Sequence, residues 1–281
     1  MLADLEGVTY RYPSSSTPAL VDVTLGVRQG EYILLAGPSG CGKSTLARVL
    51  NGLIPNFYGG VLEGRIVVDG KDPRETPTYV MAMSVGFVFQ NPENQLFFSS
   101  VEREIAFGLE NLGVPPEEIR ERVERVIAEY GLEDIRHLAP SELSGGQKQK
   151  VAIASVMAME PKLLILDEPT ANLDPFSAVK VLGLVRREVD ARNIAAIVIE
   201  HRLELVLPYV DRVVVMDKGR VVGDGDPYSV VVEHAHVVGL PSIFDVYRRL
   251  RARGLELGAW PRTPEELASR IESALMGRGG E

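Results

Sequence analysis

The alternation of apolar and polar positions changes its period along this chain, and each change marks an element. Residues 3–12 and 20–27 alternate apolar with polar positions about Pro13-Ser14-Ser15-Ser16, predicting two strands around a turn in an antiparallel β piece. Residues 32–36 are continuously apolar, as a buried strand is, and Leu46, Val49 and Leu50 beyond them fall at helical spacing. A short strand over 65–69, punctuated by Gly59-Gly60 and Glu63-Gly64, closes at an Asp69-Gly70 hairpin turn. Residues 85–89 predict a buried strand ending at Gln90, and Asn91-Pro92-Glu93-Asn94-Gln95 reads as a polar hinge out of the first subdomain.

From residue 101 to about 158 the period is helical. After Pro115-Pro116, the residues Ile119, Val123, Val126, Ile127 and Tyr130 share one face, opposite a charged and solvated one. Leu143-Ser144-Gly145-Gly146-Gln147 opens another helix with Ser144 as its N-cap. Residues 162–166 form an apolar strand that ends in Asp167-Glu168. Asn172-Leu173-Asp174-Pro175 caps a helix to about 189, whose inner face is Val179, Leu182, Val185 and Val189. A strand over 195–199 ends at Glu200-His201, and 212–217 with 220–222 make a closing hairpin. Past Gly225 the pattern is helical again, over 230–238 and 242–253, and Thr263-Pro264-Glu265-Glu266 is a capping box leading to Leu267, Ile271 and Leu275. The end, Gly277 to Glu281, is expected to fray. This tail carries no recognisable chemistry.

Composition narrows the class. With 281 residues, 45% apolar and 25% charged, the chain is expected to fold as one large domain with an appendage. No apolar run reaches the ~18 residues of a membrane span, and Asp4 and Glu6 stand where a signal peptide would be basic, so a cytosolic chain is expected. Cys41 is the only cysteine, which excludes an internal disulfide. A net charge of −9 argues against nucleic acid as a partner and requires any membrane contact to run through protein.

The chemistry centres on Gly37-Pro38-Ser39-Gly40-Cys41-Gly42-Lys43-Ser44-Thr45, a match to the phosphate-binding loop G-x-x-x-x-G-K-[ST] between a strand and a helix. Glycines let successive N–H groups turn inward, and the new helix adds its positive end. Lys43 is placed for β- and γ-phosphates, Ser44 for Mg²⁺ and Thr45 for the α-phosphate. Asp167 then reads as a Mg²⁺ holder and Glu168 as the group that orients and deprotonates water. Gln90 and His201 follow core strands, where α/β ligand sites lie. Tyr12 is either a stacking platform for a purine or an ordinary packed ring.

The order of phosphate loop, Leu143-Ser144-Gly145-Gly146-Gln147, Asp167-Glu168 and His201 resembles the nucleotide-binding subunit of ATP-binding cassette (ABC) transporters over about residues 5–225. The fold implied is α/β: a RecA-like phosphate-loop core, an antiparallel β subdomain, an inserted helical subdomain over about 93–159, and a helical extension over 226–281. The resemblance implies ATP and Mg²⁺ as cofactors, and two such subunits, identical or related, meeting head to tail. Ser144, Gly145, Gly146 and Gln147 would complete the partner's site. It also implies that Tyr12 stacks on adenine, Gln90 senses Mg²⁺ and water, Asp174 crosses the interface and His201 contacts the γ-phosphate.

A finer resemblance, through Gln90-Asn91-Pro92-Glu93-Asn94-Gln95-Leu96-Phe97, Glu200-His201-Arg202-Leu203-Glu204 and residues 53–60, is to the ATPase subunits of energy-coupling factor (ECF) transporters, which import vitamins or transition-metal ions. It implies a transmembrane coupling subunit docked after Gln90, a separate membrane-embedded solute binder, and a peripheral position on the cytoplasmic face. A conventional binding-protein-dependent importer, a soluble ABC protein of DNA repair or translation, and a non-hydrolysing cassette are the alternatives; intact Glu168 and His201 speak against the last. Lys150 departs from the arginine common in relatives, which removes bidentate geometry there.

Overall fold

The computed structural model describes residues 1–276, so the expected frayed end at 277–281 lies outside the described residues. In chain order the elements are β1 (Ala3–Arg11), β2 (Leu20–Val27), β3 (Tyr32–Ala36), α1 (Lys43–Leu50), α2 (Leu53–Asn56), β4 (Val61–Val68), α3 (Thr78–Ala82), β5 (Val85–Val88), α4 (Val101–Asn111), α5 (Pro116–Tyr130), α6 (Gly145–Met157), β6 (Leu163–Asp167), α7 (Pro175–Arg192), β7 (Ala195–Ile199), α8 (Leu203–Val206), β8 (Arg212–Asp217), β9 (Arg220–Gly225), α9 (Pro227–Glu233), α10 (Ala235–Val238), α11 (Ser242–Ala252) and α12 (Pro264–Met276). They form a three-stranded sheet, β2-β1-β4, and a six-stranded sheet, β5-β6-β7-β3-β8-β9. The small sheet is antiparallel; the large one is parallel except where β9 returns along β8.

The continuous apolar runs have a structural reason. β3, β6 and β7 are buried at every position because both faces of the parallel sheet are covered. Side chains alternate across it: Ile33, Leu35, Ile165 and Ile197 join α1 and the antiparallel sheet in one core, whereas Leu34, Leu164, Leu166 and Val198 join the helices α4 to α7 in the other. Two cores thus meet back to back, and the strand ends between them are held from both sides.

Several local expectations change. β4 begins at Val61, so Gly64 is inside a strand, at φ +93, where a Cβ would come within 2.6 Å of the Gly7 carbonyl. It faces the register shift between Glu6 and Thr9 of β1, where a bulge bends the strand. Asp69-Gly70 turns the chain, but only a single bridge, Val68 to Lys71, follows it instead of a second strand. Phe89 lies beyond β5 and is exposed. The hinge is a short 3₁₀ turn over Pro92–Asn94, with the Asn91 side chain accepting from the Glu93 N–H. In α7 the buried residues are Ala178, Val181, Leu182, Leu184, Val185, Glu188 and Val189; Val179 is 40% exposed, one position off the buried stripe. The helix expected over 230–238 starts at Pro227 and breaks at His234 into α9 and α10.

The C-terminal part packs partly on itself and partly on the core of α4 to α7: Tyr247, Leu257 and Leu267 form a small cluster of their own, Phe244 belongs to the larger core, and Tyr228 and Trp260 bridge the two. Tyr228, Phe244 and Trp260 make edge and stacked contacts at 5.1 to 6.3 Å between ring centres. Tyr247 and Leu257 are buried beside them, and each such side chain contributes about 1.5–3 kcal/mol of burial. The Thr263 hydroxyl caps the Glu266 N–H as expected, but Glu266 reaches back to the Arg262 N–H instead of that of Thr263.

Candidate functional site

The phosphate loop leaves β3 and enters α1 with Gly37 at φ +149, Gly40 at +77 and Gly42 at +111, values that favour glycine. A Cβ on Gly37 would collide with the Met216 carbonyl, and one on Gly42 would lie 2.7 Å from the Ala19 carbonyl. At Gly40 it would meet nothing within 4 Å, so that turn faces open space. Lys43 is buried, and its ammonium donates to the carbonyls of Gly37 at 2.8 Å and Pro38 at 2.9 Å. Those bonds fold the loop around the lysine. Cys41, between them, is a buried thiol that burial pushes up in pKa.

Ser44 and Asp167 are 123 residues apart in sequence, yet the Ser44 hydroxyl donates to Asp167 Oδ1 at 3.2 Å. The parallel sheet achieves this by setting β6 two strands from β3, with their C-terminal ends on one side. Asp167 is 8% exposed, has no ion-pair partner among the described residues, and burial raises its pKa despite the Ser44 bond. A buried carboxylate beside a hydroxyl, both near a loop shaped for phosphate, is a donor set suited to Mg²⁺. The residues present therefore fit that ion.

Glu168 stands next to it at φ +50, a strained conformation for a non-glycine residue, costing about 1–3 kcal/mol. Its N–H, bonded to the Ile199 carbonyl at 2.9 Å, keeps it there. The strain turns its carboxylate toward two other strand ends: Gln90 Nε2 donates to Oε2 at 2.7 Å, and His201 Nε2 lies 3.2 Å from Oε1. Gln90, Glu168 and His201 thus converge from β5, β6 and β7.

Tyr12 is half-buried, with its hydroxyl 3.1 Å from that of Thr45 and its ring edge-on to Tyr10 at 4.8 Å and to Tyr58 at 6.3 Å. Arg48 joins this group, donating to the Tyr12 hydroxyl at 3.4 Å and lying 5.0 Å over the Tyr58 ring. Pattern reading missed Arg48, although its place one turn after Thr45 on α1 was a usable signal. It also gave no role of its own to Glu200, a charged residue 3% exposed just after β7.

Ser144 begins α6 as a capping box: its hydroxyl accepts from the Gln147 N–H at 3.4 Å, and Gln147 Oε1 accepts from the Ser144 N–H at 2.8 Å. Gly145 and Gly146 carry the remaining first-turn N–H groups, and Gly145 shares the wall of a cleft of about 290 Å³ with Gln90, Pro169 and Leu173. Asp174 caps α7, accepting from the Phe176 and Ser177 N–H groups at 3.0 Å. Among the described residues neither Asp174 nor Ser144 to Gln147 has a hydrogen bond to the phosphate loop of the same chain. Among the described residues Lys150 makes no carboxylate pair; its ammonium donates to the Gly131 carbonyl at 3.3 Å.

Known proteins are similar to this chain in sequence and in fold. A family model described as ABC transporter matches residues 20–171. A putative ABC transporter ATP-binding protein of Pyrococcus horikoshii, PH1815, is 43% identical over 90% of this chain and 90% of its own length. One of Methanosarcina mazei is 49% identical over 82% of this chain, which spans only 39% of that longer relative. Among solved structures, cbiO1 of Clostridium perfringens, described as part of the ABC transporter complex cbiONQ, superposes with TM-score 0.76 at 36% identity, covering 90% of this chain and 97% of that one. The ATP-binding cassette MJ0796, a dimer in a post-hydrolysis state bound to ADP and Pi, gives 0.69 at 26% identity over 80% of this chain and 98% of its own. By motif, site geometry and these matches together, the chain belongs to the ATP-binding subunits of the ABC transporter family.

Proposed function

We propose that this chain is the ATP-hydrolysing, energy-coupling subunit of an ECF-type membrane importer for a vitamin or transition-metal ion, acting at the cytoplasmic face of the membrane. The observation that carries the enzymatic reading is the convergence of Ser44 with Asp167, and of Gln90 and His201 with Glu168, beside one phosphate loop. Residues 1–225 form the nucleotide-binding domain in this reading, with a helical subdomain over about 93–159, and 226–281 form the extension.

Bound ATP-Mg²⁺ supplies the scissile phosphoanhydride and an electrophilic cation. The amides of Gly40 to Thr45 and the Lys43 ammonium hold the phosphates, exchanging the lysine's present bonds to Gly37 and Pro38 for stronger charged ones. Ser44, Asp167 and Gln90 hold the cation. Glu168, oriented by Gln90, accepts the proton of the attacking water, and His201 steadies the γ-phosphate. Tyr12 stacks on the base. Ser144, Gly145, Gly146, Gln147 and Asp174 act on the site of a second ABC ATPase subunit. Catalysis of this kind is positioning plus electrostatics.

The membrane side of the proposal is supported by similarity to cbiO1 and by an apolar groove of about 670 Å³. Tyr79, Phe89 and Phe97 line it and are 69%, 40% and 66% exposed, more aromatic surface in one place than an isolated acidic chain needs. No described helix is long and apolar enough to cross a membrane; in this reading the groove receives helices of a coupling subunit. Purification of the tagged chain from detergent-solubilised native membranes, with mass spectrometry of stoichiometric partners, tests this. A coupling subunit with small solute binders supports the ECF reading; a binding-protein-dependent permease points to a conventional importer, and a soluble partner set overturns transport.

A further inference from the structure

We infer that the buried Glu200 carboxylate, the Thr170 hydroxyl and the Arg202 guanidinium form a positioning clasp that sets His201 against Glu168 and steadies the loop presenting Asp174. The inference rests on the functional reading above and adds residues that do not touch nucleotide.

Glu200 is 3% exposed and Thr170 is fully buried. Glu200 Oε1 accepts from the Thr170 N–H at 3.0 Å and from its hydroxyl at 2.5 Å. Its other oxygen accepts from the N–H groups of His201 at 3.1 Å and Arg202 at 3.4 Å. A carboxylate this buried with four donors around it is fully engaged, and removing one donor leaves a buried acceptor short of a partner. Thr170 is two residues after Glu168, and His201 is one residue after Glu200. The bonds therefore close a ring: His201 to Glu168 by side chain, Glu168 to Thr170 by backbone, Thr170 to Glu200, and Glu200 back to the His201 N–H.

Arg202 extends the ring. One of its terminal nitrogens, Nη1, donates to the carbonyls of Thr170 at 3.2 Å and Leu173 at 3.0 Å. Leu173 immediately precedes Asp174, the residue proposed to meet a second subunit. The residues just after β7 thus hold both ends of the 170–173 loop, Thr170 through the Glu200 carboxylate and the Arg202 guanidinium, and Leu173 through the guanidinium. Displacement of His201 or of Asp174 is felt at Glu168 through bonds a few ångströms long. Rates depend steeply on such placement, and a shift of about 1 Å costs on the order of a hundredfold.

The test is steady-state ATP hydrolysis by the full chain, with nucleotide affinity measured separately by calorimetry in the absence of Mg²⁺. Thr170→Val keeps size but removes the hydroxyl donor; kcat is expected to fall by about tenfold to a hundredfold with KM within about twofold. Thr170→Ser, which restores the donor, should recover kcat to within about threefold of wild type. Arg202→Gln, at a half-buried position, is expected to lower kcat similarly while melting close to wild type. Equal kcat in wild type, Thr170→Val and Arg202→Gln overturns the clasp. So does a Thr170→Val protein whose loss is in affinity and melting temperature alone. An unmodified chain that binds ATP but never hydrolyses it overturns the ATPase reading itself, and the clasp's catalytic role with it.

Discussion

Gln90 Nε2 and Glu168 Oε2 are 2.7 Å apart although 78 residues separate them, and this bond joins the exit from the first subdomain to the carboxylate at the centre of the site. Gln90 lies two residues before the 3₁₀ turn that begins at Pro92, whose neighbours Gln95 and Phe97 border the apolar groove. The groove proposed to receive a membrane partner therefore has a short physical route to Glu168.

Replacing Glu168 by Gln keeps the shape and the neighbours but removes the proposed base. Turnover is expected to drop by about 10²- to 10⁴-fold while ATP affinity is retained and a nucleotide-bound dimer accumulates, read by phosphate release and size-exclusion chromatography. Unchanged turnover would refute the role given to Glu168.

Lys43→Ala removes the cation around which the loop folds, through its bonds to Gly37 and Pro38. Calorimetry should show ATP affinity lower by at least about tenfold, the loss expected for one charged hydrogen bond. Wild-type affinity would rule out the phosphate-loop assignment.

Tyr12 bears two separable features, a ring and a hydroxyl bonded near Thr45. Tyr12→Phe should bind ATP within about threefold of wild type, whereas Tyr12→Ala loses about 1–3 kcal/mol of base stacking. Equal losses in both variants would show that the hydroxyl, not the ring, matters.

Phe97→Asp places a charge in the groove at a position 66% exposed, so folding and basal hydrolysis by the isolated chain should survive. Recovery of membrane partners in the purification should fail. Full recovery would remove the groove from the proposed interface.

Acid stability has a named contributor. Burial opposes the charge on Asp69, but hydrogen bonds from Lys162 at 2.7 Å, Ser84 at 2.8 Å and Lys71 at 2.9 Å outweigh it and hold the carboxyl at about 2, below the ordinary 3.8. The folded value is depressed, so this contribution is complete above the ordinary value and is lost as pH falls toward about 2. Urea titrations from about pH 6 down to about pH 2 should show wild type losing stability over that window, with a shallower loss in Asp69→Asn. Parallel curves for the two proteins would exclude Asp69 as a contributor.

Local chemistry alone determined much of this protein. The phosphate loop needs its glycines, lysine and hydroxyls consecutively, so residues 37–45 are legible without a fold. The capping box at Ser144 and the Asp174 cap are equally local, because helix ends are satisfied within about one turn. Continuous apolar runs identified β3, β6 and β7, since burial on both faces leaves no polar position. Sequence alone misplaced Val179, because the buried stripe of a helix is set by what it packs against and a one-residue offset rotates a side chain by about 100°. It also missed Arg48, Thr170 and the role of Glu200, whose partners are distant or on neighbouring strands. Only the strand order of the parallel sheet, β5-β6-β7-β3, put the ends carrying Gln90, Glu168 and His201 side by side and brought Ser44 to Asp167. That order hydrogen-bonds strands far apart in the chain, β3 with β7 and β8 among them, and no local window contains such pairings.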